Sequence, residues 1–370
     1  MACASQEDAE IAVASNGERQ TSITVTLQTK SGSTAAFSCE AGENLLYAGL
    51  RHGLTLPYEC ATGTCGTCRA RLLAGAAELT WTAAPGLAYV KRDRGEILLC
   101  QARADSDCAF RVPAKVIPLA DGAVTPAYRR GVITNTKRLT HDVVHIDVSL
   151  DEPIRFEAGQ FVVIETPDVR GGRAYSMVNY APETSDLQFV VKRKPGGGFS
   201  NWLFENNVAG APLRVFGPLG KATFNPAEAR NVLCIAGGSG IAGMMAIAER
   251  CVQVGHFRNH TGHMFFGVRS MADCFYLAEL SRLVAASDGK LEVTIALSEE
   301  ATPADVHPDF PAVALAGGFV HEVAARKMAG RYNDIVGFVA GPPPMVDGAL
   351  RMLIMEARLP AQFIRYDKFG

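Results

Sequence analysis

Four cysteines carry the most chemically specific pattern in the chain. Cys60, Cys65 and Cys68 lie in one run, Tyr58-Glu59-Cys60-Ala61-Thr62-Gly63-Thr64-Cys65-Gly66-Thr67-Cys68, with Cys-x4-Cys-x2-Cys spacing. A fourth, Cys100, closes a Leu98-Leu99-Cys100-Gln101 run farther on. Three thiolates from one tight loop and one from a distant element can converge on two irons, and this is the spacing of a [2Fe–2S] site. Such a loop must curl closely, so Gly63 and Gly66 stand where positive φ and close backbone approach are needed. Thr62, Thr64 and Thr67 keep it small and polar, leaving backbone N–H groups to face the sulfurs and set their potential. The competing readings are zinc, a disulfide or buried free thiols. Structural zinc usually takes paired Cys-x2–4-Cys knuckles, and one knuckle is present. Disulfides suit secreted chains, and the N-terminus lacks the basic-then-apolar layout of a secretory signal.

The elements that must position these thiols can be read in outline. Two strands are predicted within 22–39 around Ser31-Gly32-Ser33, where Ile23, Val25 and Leu27 alternate with polar neighbours. A helix is predicted from Glu43 to His52, stopped by Gly53. Strands follow at Arg69–Leu73 and Ile97–Cys100, and the module closes near Arg111-Val112-Pro113. Its basic residues (Lys30, Arg51, Arg69, Arg71, Lys91, Arg92, Arg94, Arg103, Arg111) nearly balance its acids, so long-range steering toward a basic partner is not expected. Arg69 and Arg71 directly follow the cysteine loop. They fit either a contact with an acidic acceptor or a solvated strand face.

Residues 114–127 contain two prolines and few large apolar side chains, and read as a linker. Short strands are predicted at 132–136, 143–149, 161–165, 187–191 and 213–215, a spacing that suggests a barrel. Within that region lie Arg173-Ala174-Tyr175-Ser176 and Gly196-Gly197-Gly198-Phe199-Ser200, the latter leading into a helix. A guanidinium suits a bidentate grip on phosphate, an aromatic ring covers a flat cofactor, and N–H groups at a helix start bind anions. A surface strand with a salt-bridged arginine explains the first motif equally well.

Beyond residue 228 the period changes. Strand-helix alternation from Val232 onward predicts a parallel sheet with helices on both faces. The turn Gly237-Gly238-Ser239-Gly240 follows the first of these strands, where such sheets bind dinucleotides. A tight strand–helix turn with no ligand is the plain alternative.

The chain has 370 residues, is 48% hydrophobic and carries a net charge of −2. Bulk charge therefore implies no nucleic acid or membrane partner, and no apolar run of about 18 residues predicts a membrane span. Residues 1–21 read as a disordered tail. Ten cysteines, six of them scattered, imply a reducing, cytoplasmic compartment.

From about residue 22 onward the chain resembles the NADH-dependent reductase components of bacterial multicomponent oxygenases. These belong to the ferredoxin-NADP reductase superfamily and here begin with a plant-type ferredoxin module. The resemblance rests on the four cysteines with Tyr58-Glu59-Cys60, on Arg173-x-Tyr175-Ser176, on Gly237 to Ile241, on Phe266-Gly267-Val268-Arg269-Ser270 and on Gly341-Pro342-Pro343-Pro344-Met345. It implies a multidomain α+β and α/β fold. A β-grasp ferredoxin domain (22–113) is joined by the linker to an antiparallel β-barrel FAD domain (128–227) and a parallel α/β nucleotide domain (228–370).

The resemblance also implies that Cys60, Cys65, Cys68 and Cys100 ligate the cluster. Arg173, Tyr175, Ser176, Lys192, Gly197, Gly198 and Ser200 would hold FAD. Gly237, Gly238, Ser239, Gly240, Arg269, Gly341 and Pro342 would hold NADH. Tyr175, Ser176 and Phe369 would border the reacting flavin edge. Two positions depart from the family pattern: Gly243 stands where proline is usual, and Ala340 where cysteine is usual.

The ending Tyr366-Asp367-Lys368-Phe369 and the Ala84-Pro85-Gly86-Leu87 run resemble reductases of di-iron alkene and aromatic monooxygenases, with Rieske dioxygenase reductases as the alternative. Electrons would pass from NADH through FAD and the cluster to an oxygenase (hydroxylase) component, or to its small ferredoxin or Rieske protein. A redox-sensing protein without turnover is the reading from a different class, and Gly243 and Ala340 would favour it.

Overall fold

The structure is a computed structural model and describes residues 22–30, 32–301 and 304–368. The expected tail (1–21), Ser31 of the first turn and Phe369 lie outside the described residues.

The N-terminal module contains β1 (Ile23–Thr29), β2 (Thr34–Cys39), α1 (Leu45–Arg51), β3 (Arg69–Ala74), β4 (Ala77–Leu79), β5 (Glu96–Leu98), β6 (Ala102–Ala104) and β7 (Cys108–Val112). Five strands form one sheet in the order β2-β1-β7-β3-β5, and β4 pairs with β6. Helix α1 starts at Asn44, whose carboxamide oxygen accepts the Leu46 and Tyr47 N–H groups at 3.0 and 3.2 Å, a side-chain cap for otherwise orphan donors. Its buried side chains, including Leu45, Leu46 and Leu50, cover the sheet. The run ending at Cys100 differs from expectation. β5 stops at Leu98, and Leu99–Gln101 form a 3-10 turn whose Cys100 carbonyl accepts the Asn44 amide at 2.6 Å. That turn swings the Cys100 sulfur toward the loop.

The second region contains β8 (Ala127–Arg138), β9 (Val143–Ile154), β10 (Phe161–Thr166), β11 (Val169–Ser176), β12 (Thr184–Lys192), α2 (Gly198–Glu205) and β13 (Pro212–Leu219). Its antiparallel sheet runs β11-β10-β13-β8-β9-β12. The Val178 N–H donates to the Gln188 carbonyl of β12 at 2.8 Å, bringing the chain after β11 back to the opposite edge and closing the barrel.

The third region contains β14 (Asn231–Gly237), α3 (Ile241–Gln253), β15 (Gly262–Val268), α4 (Leu277–Ala286), β16 (Leu291–Leu297), β17 (Val306–His307), β18 (Phe310–Gly317), α5 (Val320–Met328), β19 (Ile335–Gly341), α6 (Pro343–Met355) and β20 (Ile364–Lys368). The sheet order β17-β18-β16-β15-β14-β19-β20 is parallel apart from β17. Winding reverses between β14 and β19, and a crevice opens at such a switch point.

Apolar contacts fix the ferredoxin module on the barrel. Tyr47 stacks on Phe216 of β13 at 4.4 Å between centroids, and Phe161, Val163 and Leu219 join the module's core. The Tyr58 hydroxyl accepts the Gly220 N–H at 3.2 Å. The stretch expected to be a linker is docked at its start. Thr55 N–H donates to the Ile117 carbonyl at 2.8 Å, Leu119 N–H to the Gly53 carbonyl at 2.6 Å, and Val116 is buried.

Candidate active site

The four expected cluster ligands converge. Cys68 and Cys100, 32 positions apart, bring their sulfurs to 3.1 Å. Cys60 Sγ accepts N–H groups of Thr64 and Cys65, both at 3.4 Å, and Cys65 Sγ accepts that of Thr67 at 3.5 Å. Backbone donors aimed at sulfur are what an iron–sulfur site requires. Hydrogen bonding from Cys65 holds the Cys60 thiol down to about 4, with Thr64 and backbone N–H groups adding to it against burial. Its donor Cys65 is raised in turn, as Cys100 is by its contact with Cys68, whereas the scattered cysteines are raised chiefly by burial. Burial pushes Cys39 up to about 12 and Cys108 and Cys274 up to about 11, as expected of inert thiols. Space explains a glycine the spacing did not: a Cβ on Gly86 would meet the Gly63 carbonyl and the Gly66 nitrogen, each at 2.8 Å.

A cavity of about 1270 Å³ runs from this loop to the nucleotide domain. Single small-molecule sites span roughly 300–1,000 Å³, so the space fits two bound groups. Cys60, Thr62 and Thr64 line one end. Arg173, Tyr175, Lys192, Gly197, Gly198 and Ser200 line the middle; Gly237, Gly238, Ser239, Gly240, Arg269, Gly341 and Pro342 line the far part. Arg173 and Tyr175 are two apart on edge strand β11 and share a face. Ser176 faces the other way. It is buried, and its Cβ would lie 3.7 Å from a Cβ built on Gly243. Among the expected cavity residues that are described, Ser176 is therefore the one placed outside the lining. Tyr175 sits beside Phe199 at 5.5 Å between centroids. Burial raises its phenol, with Arg173 partly opposing, so the ring stays neutral and apolar. Gly197 precedes α2, and a Cβ there would meet Ser200 Oγ at 2.7 Å.

At the switch point the two glycine turns touch. A Cβ on Gly240 would fall 2.3 Å from the Ala340 carbonyl oxygen, so nothing larger fits. Ala340 is buried and closes this contact from β19. Gly243, by contrast, has ordinary contact distances around a built Cβ.

Charge at the far end comes from two domains. Arg269 pairs with Asp273 at 3.0 Å and with Asp142, on the turn between β8 and β9, at 3.4 Å. Lys192 reaches Asp142 at 3.3 Å. Burial works against the Asp273 carboxylate, but Arg269 and Ser270 hold it below the usual range. His141, Asp142 and Asp273 place ligand atoms within 4.8 Å of one another. Both carboxylates are already matched by Lys192 and Arg269, so the cluster is an ion-pair network.

Among the cavity residues that sequence reasoning missed are Trp81 from the ferredoxin module, Asp142, and Phe319, which is 58% exposed at the start of α5. Trp81 is brought in by the Arg170 guanidinium, which donates to the Thr80 carbonyl at 2.9 Å. A strand–helix pattern in 310–328, with Val320, Val323, Ala324 and Met328 on one helical face, was the available signal for the Phe319 turn.

Fold and site together define a pyridine-nucleotide oxidoreductase with flavin and iron–sulfur sites in one chain. Comparison with known proteins agrees. Residues 28–105 match the 2Fe-2S iron-sulfur cluster binding domain, 130–224 the oxidoreductase FAD-binding domain and 234–351 the oxidoreductase NAD-binding domain. The chain is 33% identical over 346 residues to a ferredoxin–NAD(P)(+) reductase of Metapseudomonas resinovorans, covering 92% of this chain and 99% of the relative. It is 34% identical over 340 residues to the ferredoxin–NAD(+) reductase component of the alkene monooxygenase system of Xanthobacter autotrophicus, covering 90% and 98%. The solved ferredoxin reductase in carbazole 1,9a-dioxygenase superposes with a TM-score of 0.79 at 33% identity, covering 94% of this chain and 100% of that one. The chain belongs to the ferredoxin–NAD(P)(+) reductase family of oxygenase systems: an electron-transfer oxidoreductase using a [2Fe–2S] cluster, FAD and a nicotinamide nucleotide. No helix among the described residues is long and apolar enough to cross a membrane.

Proposed function

We propose that this chain oxidises NADH and feeds single electrons into a di-iron monooxygenase system acting on alkenes or aromatic compounds. One observation carries the reductase path: a continuous cavity has the cluster loop at one end and both glycine turns of the nucleotide domain at the other. Bound, the flavin supplies the exchange between a hydride and single electrons, and the cluster supplies a one-electron relay.

The chain's own groups bind and orient. Arg173 holds a flavin phosphate, Gly197, Gly198 and Ser200 present the start of α2 to the pyrophosphate, and Tyr175 covers the ring. Lys192 offers a cation near the same bound group. Ser176 supports the flavin edge from behind, on the side of Gly243 of α3. Gly237 to Gly240 admit the nucleotide backbone, while Gly341 and Pro342 bound the nicotinamide. Phe369 is the candidate aromatic for that edge on the sequence resemblance alone. Cys60, Cys65, Cys68 and Cys100 ligate the irons. Arg269, already balanced by Asp273 and Asp142, has little net charge to offer a 2′-phosphate, which favours NADH over NADPH.

The similarity to the alkene monooxygenase component supports the monooxygenase assignment. The whole-length match to the carbazole 1,9a-dioxygenase reductase favours a Rieske dioxygenase system as the second reading. Reconstitution separates them. The purified holoprotein and NADH are combined with the ferredoxin and hydroxylase of an alkene monooxygenase, or with the ferredoxin and oxygenase of a Rieske dioxygenase, and product is measured. Turnover only with the di-iron set is expected. Turnover only with the Rieske set selects the second reading, and none with either contradicts both.

A further inference from the structure

The cluster loop has two unlike sides. Cys60, Thr62 and Thr64, with Trp81 and Pro85, face the flavin cavity. Elsewhere the loop is covered by the 3-10 turn Pro85–Tyr89: Gly86 N–H donates to the Gly63 carbonyl at 2.9 Å, and a Cβ on Gly66 would lie 2.9 Å from the Tyr89 ring. Tyr89 is 63% exposed, so one aromatic ring separates this part of the loop from solvent.

Cations lie on the elements next to that turn. Arg69 follows Cys68 and donates to the Tyr89 carbonyl at 3.4 Å. Arg71 of β3 and Arg111 of β7 are direct cross-strand partners and both are exposed. The turn Arg92–Arg94, with Lys91 before it, is bound to the neighbouring strands: Leu72 N–H donates to the Gly95 carbonyl at 2.9 Å and Glu96 N–H to that of Lys91 at 3.2 Å. Asp93 and Glu96 are the carboxylates within this group. Arg94 reaches Asp93 only at 4.0 Å. Among the described residues, Arg69, Arg71, Lys91, Arg92 and Arg111 form no ion pair, as is also true of Arg103, Arg170 and Arg326; what distinguishes them is that they share one face with only two carboxylates. Like charges directly opposed on a sheet cost stability. On its other side Arg71 stands opposite Glu96 of β5, whose carboxylate accepts the Lys91 N–H at 2.9 Å, so one acid faces several cations here.

We infer that this cationic face, centred on Tyr89, is where the electron acceptor docks, and that the acceptor is a small ferredoxin presenting a carboxylate-rich face. The inference rests on the reductase reading above and adds the acceptor's chemistry. Each NADH loses a hydride, two acceptor molecules gain one electron each, and one proton is released. Complementary charge at the exit face raises the encounter rate and makes it salt-dependent.

The test uses the full-length holoprotein, NADH and an acidic plant-type ferredoxin as the probe, with cationic cytochrome c as the opposite-charge control. Wild-type ferredoxin reduction should fall steeply between low salt and about 0.5 M salt as screening shortens to a few ångströms. The Arg71→Glu/Arg111→Glu protein should reduce ferredoxin about tenfold or more slowly and cytochrome c faster, within the range that steering spans. Arg92→Glu/Arg94→Glu, on a separate element, repeats the measurement should the first pair disturb the sheet. The NADH-reduced cluster signal by EPR should be unchanged in both. Ferredoxin rates that ignore salt and both reversals, with the cluster still reduced by NADH, overturn the docking surface alone. A cluster that NADH does not reduce in the wild-type protein overturns the reductase reading beneath it.

Discussion

The cluster loop and the nucleotide turn are both short, glycine-punctuated loops, but they put their chemistry in different places. In the cluster loop the side chains carry the proposed chemistry: four sulfurs converge and the backbone serves them with N–H groups. In the nucleotide turn the backbone forms the surface, and side chains matter by being absent. Gly240 leaves 2.3 Å between a built Cβ and the Ala340 carbonyl. A site made of side chains is written in residue types and spacing. A site made of backbone is written only as permission for close approach, and it depends on elements remote in sequence for its charge.

Substitutions should separate the two kinds of site. Cys65→Ser should lower NADH-driven reduction of one-electron protein acceptors by about 100-fold or more, beyond the 10–100-fold typical of outer-shell changes at metal sites. Stopped-flow assays check this, with flavin bleaching by NADH retained. Gly240→Ala should destabilise the protein by about 2–3 kcal/mol, the upper range for overpacking, because the carbonyl it meets is backbone; denaturant unfolding and NADH binding should both report it. Asp142→Asn should leave the cluster signal intact and shift the NADH/NADPH ratio of kcat/KM toward NADPH by about tenfold, since a hydrogen bond to a charged group contributes about 1.5–3 kcal/mol and 1.4 kcal/mol is a factor of ten. An unchanged ratio would mean that Arg269 does not meet the 2′-position. Gly243→Ala should have the smallest effect, raising stability by about 0.5–1 kcal/mol, because it lies within α3 with its nearest neighbours at 3.6 Å or more. Loss of stability there would show that the position needs glycine after all.

The same contrast explains what the sequence made legible. The cysteine spacing picked out four sulfurs that the fold brings together, although not that Cys100 rides a 3-10 turn held by Asn44. The five expected barrel strands are present within longer ones: β9 alternates clearly, while β10, β12 and β13 carry short buried apolar runs. β11 escaped because its run Val169-Arg-Gly-Gly-Arg has no buried alternation until Ser176. β18, half exposed near the sheet edge, was equally faint. Nothing local marks Asp142 as a partner of Arg269, which lies 127 positions away. Trp81 enters the cavity only because the ferredoxin module packs on the barrel through Tyr47, Phe216 and Arg170.

Anaerobic titration of the holoprotein with NADH, followed by absorbance and low-temperature EPR, tests the central claim most directly. Electrons running from nucleotide to flavin to cluster predict bleaching of the flavin bands together with a rhombic signal from the reduced [2Fe–2S] cluster. Intact flavin and cluster that neither NADH nor NADPH reduces would contradict the account, and would leave a redox-sensing protein without turnover as the better description.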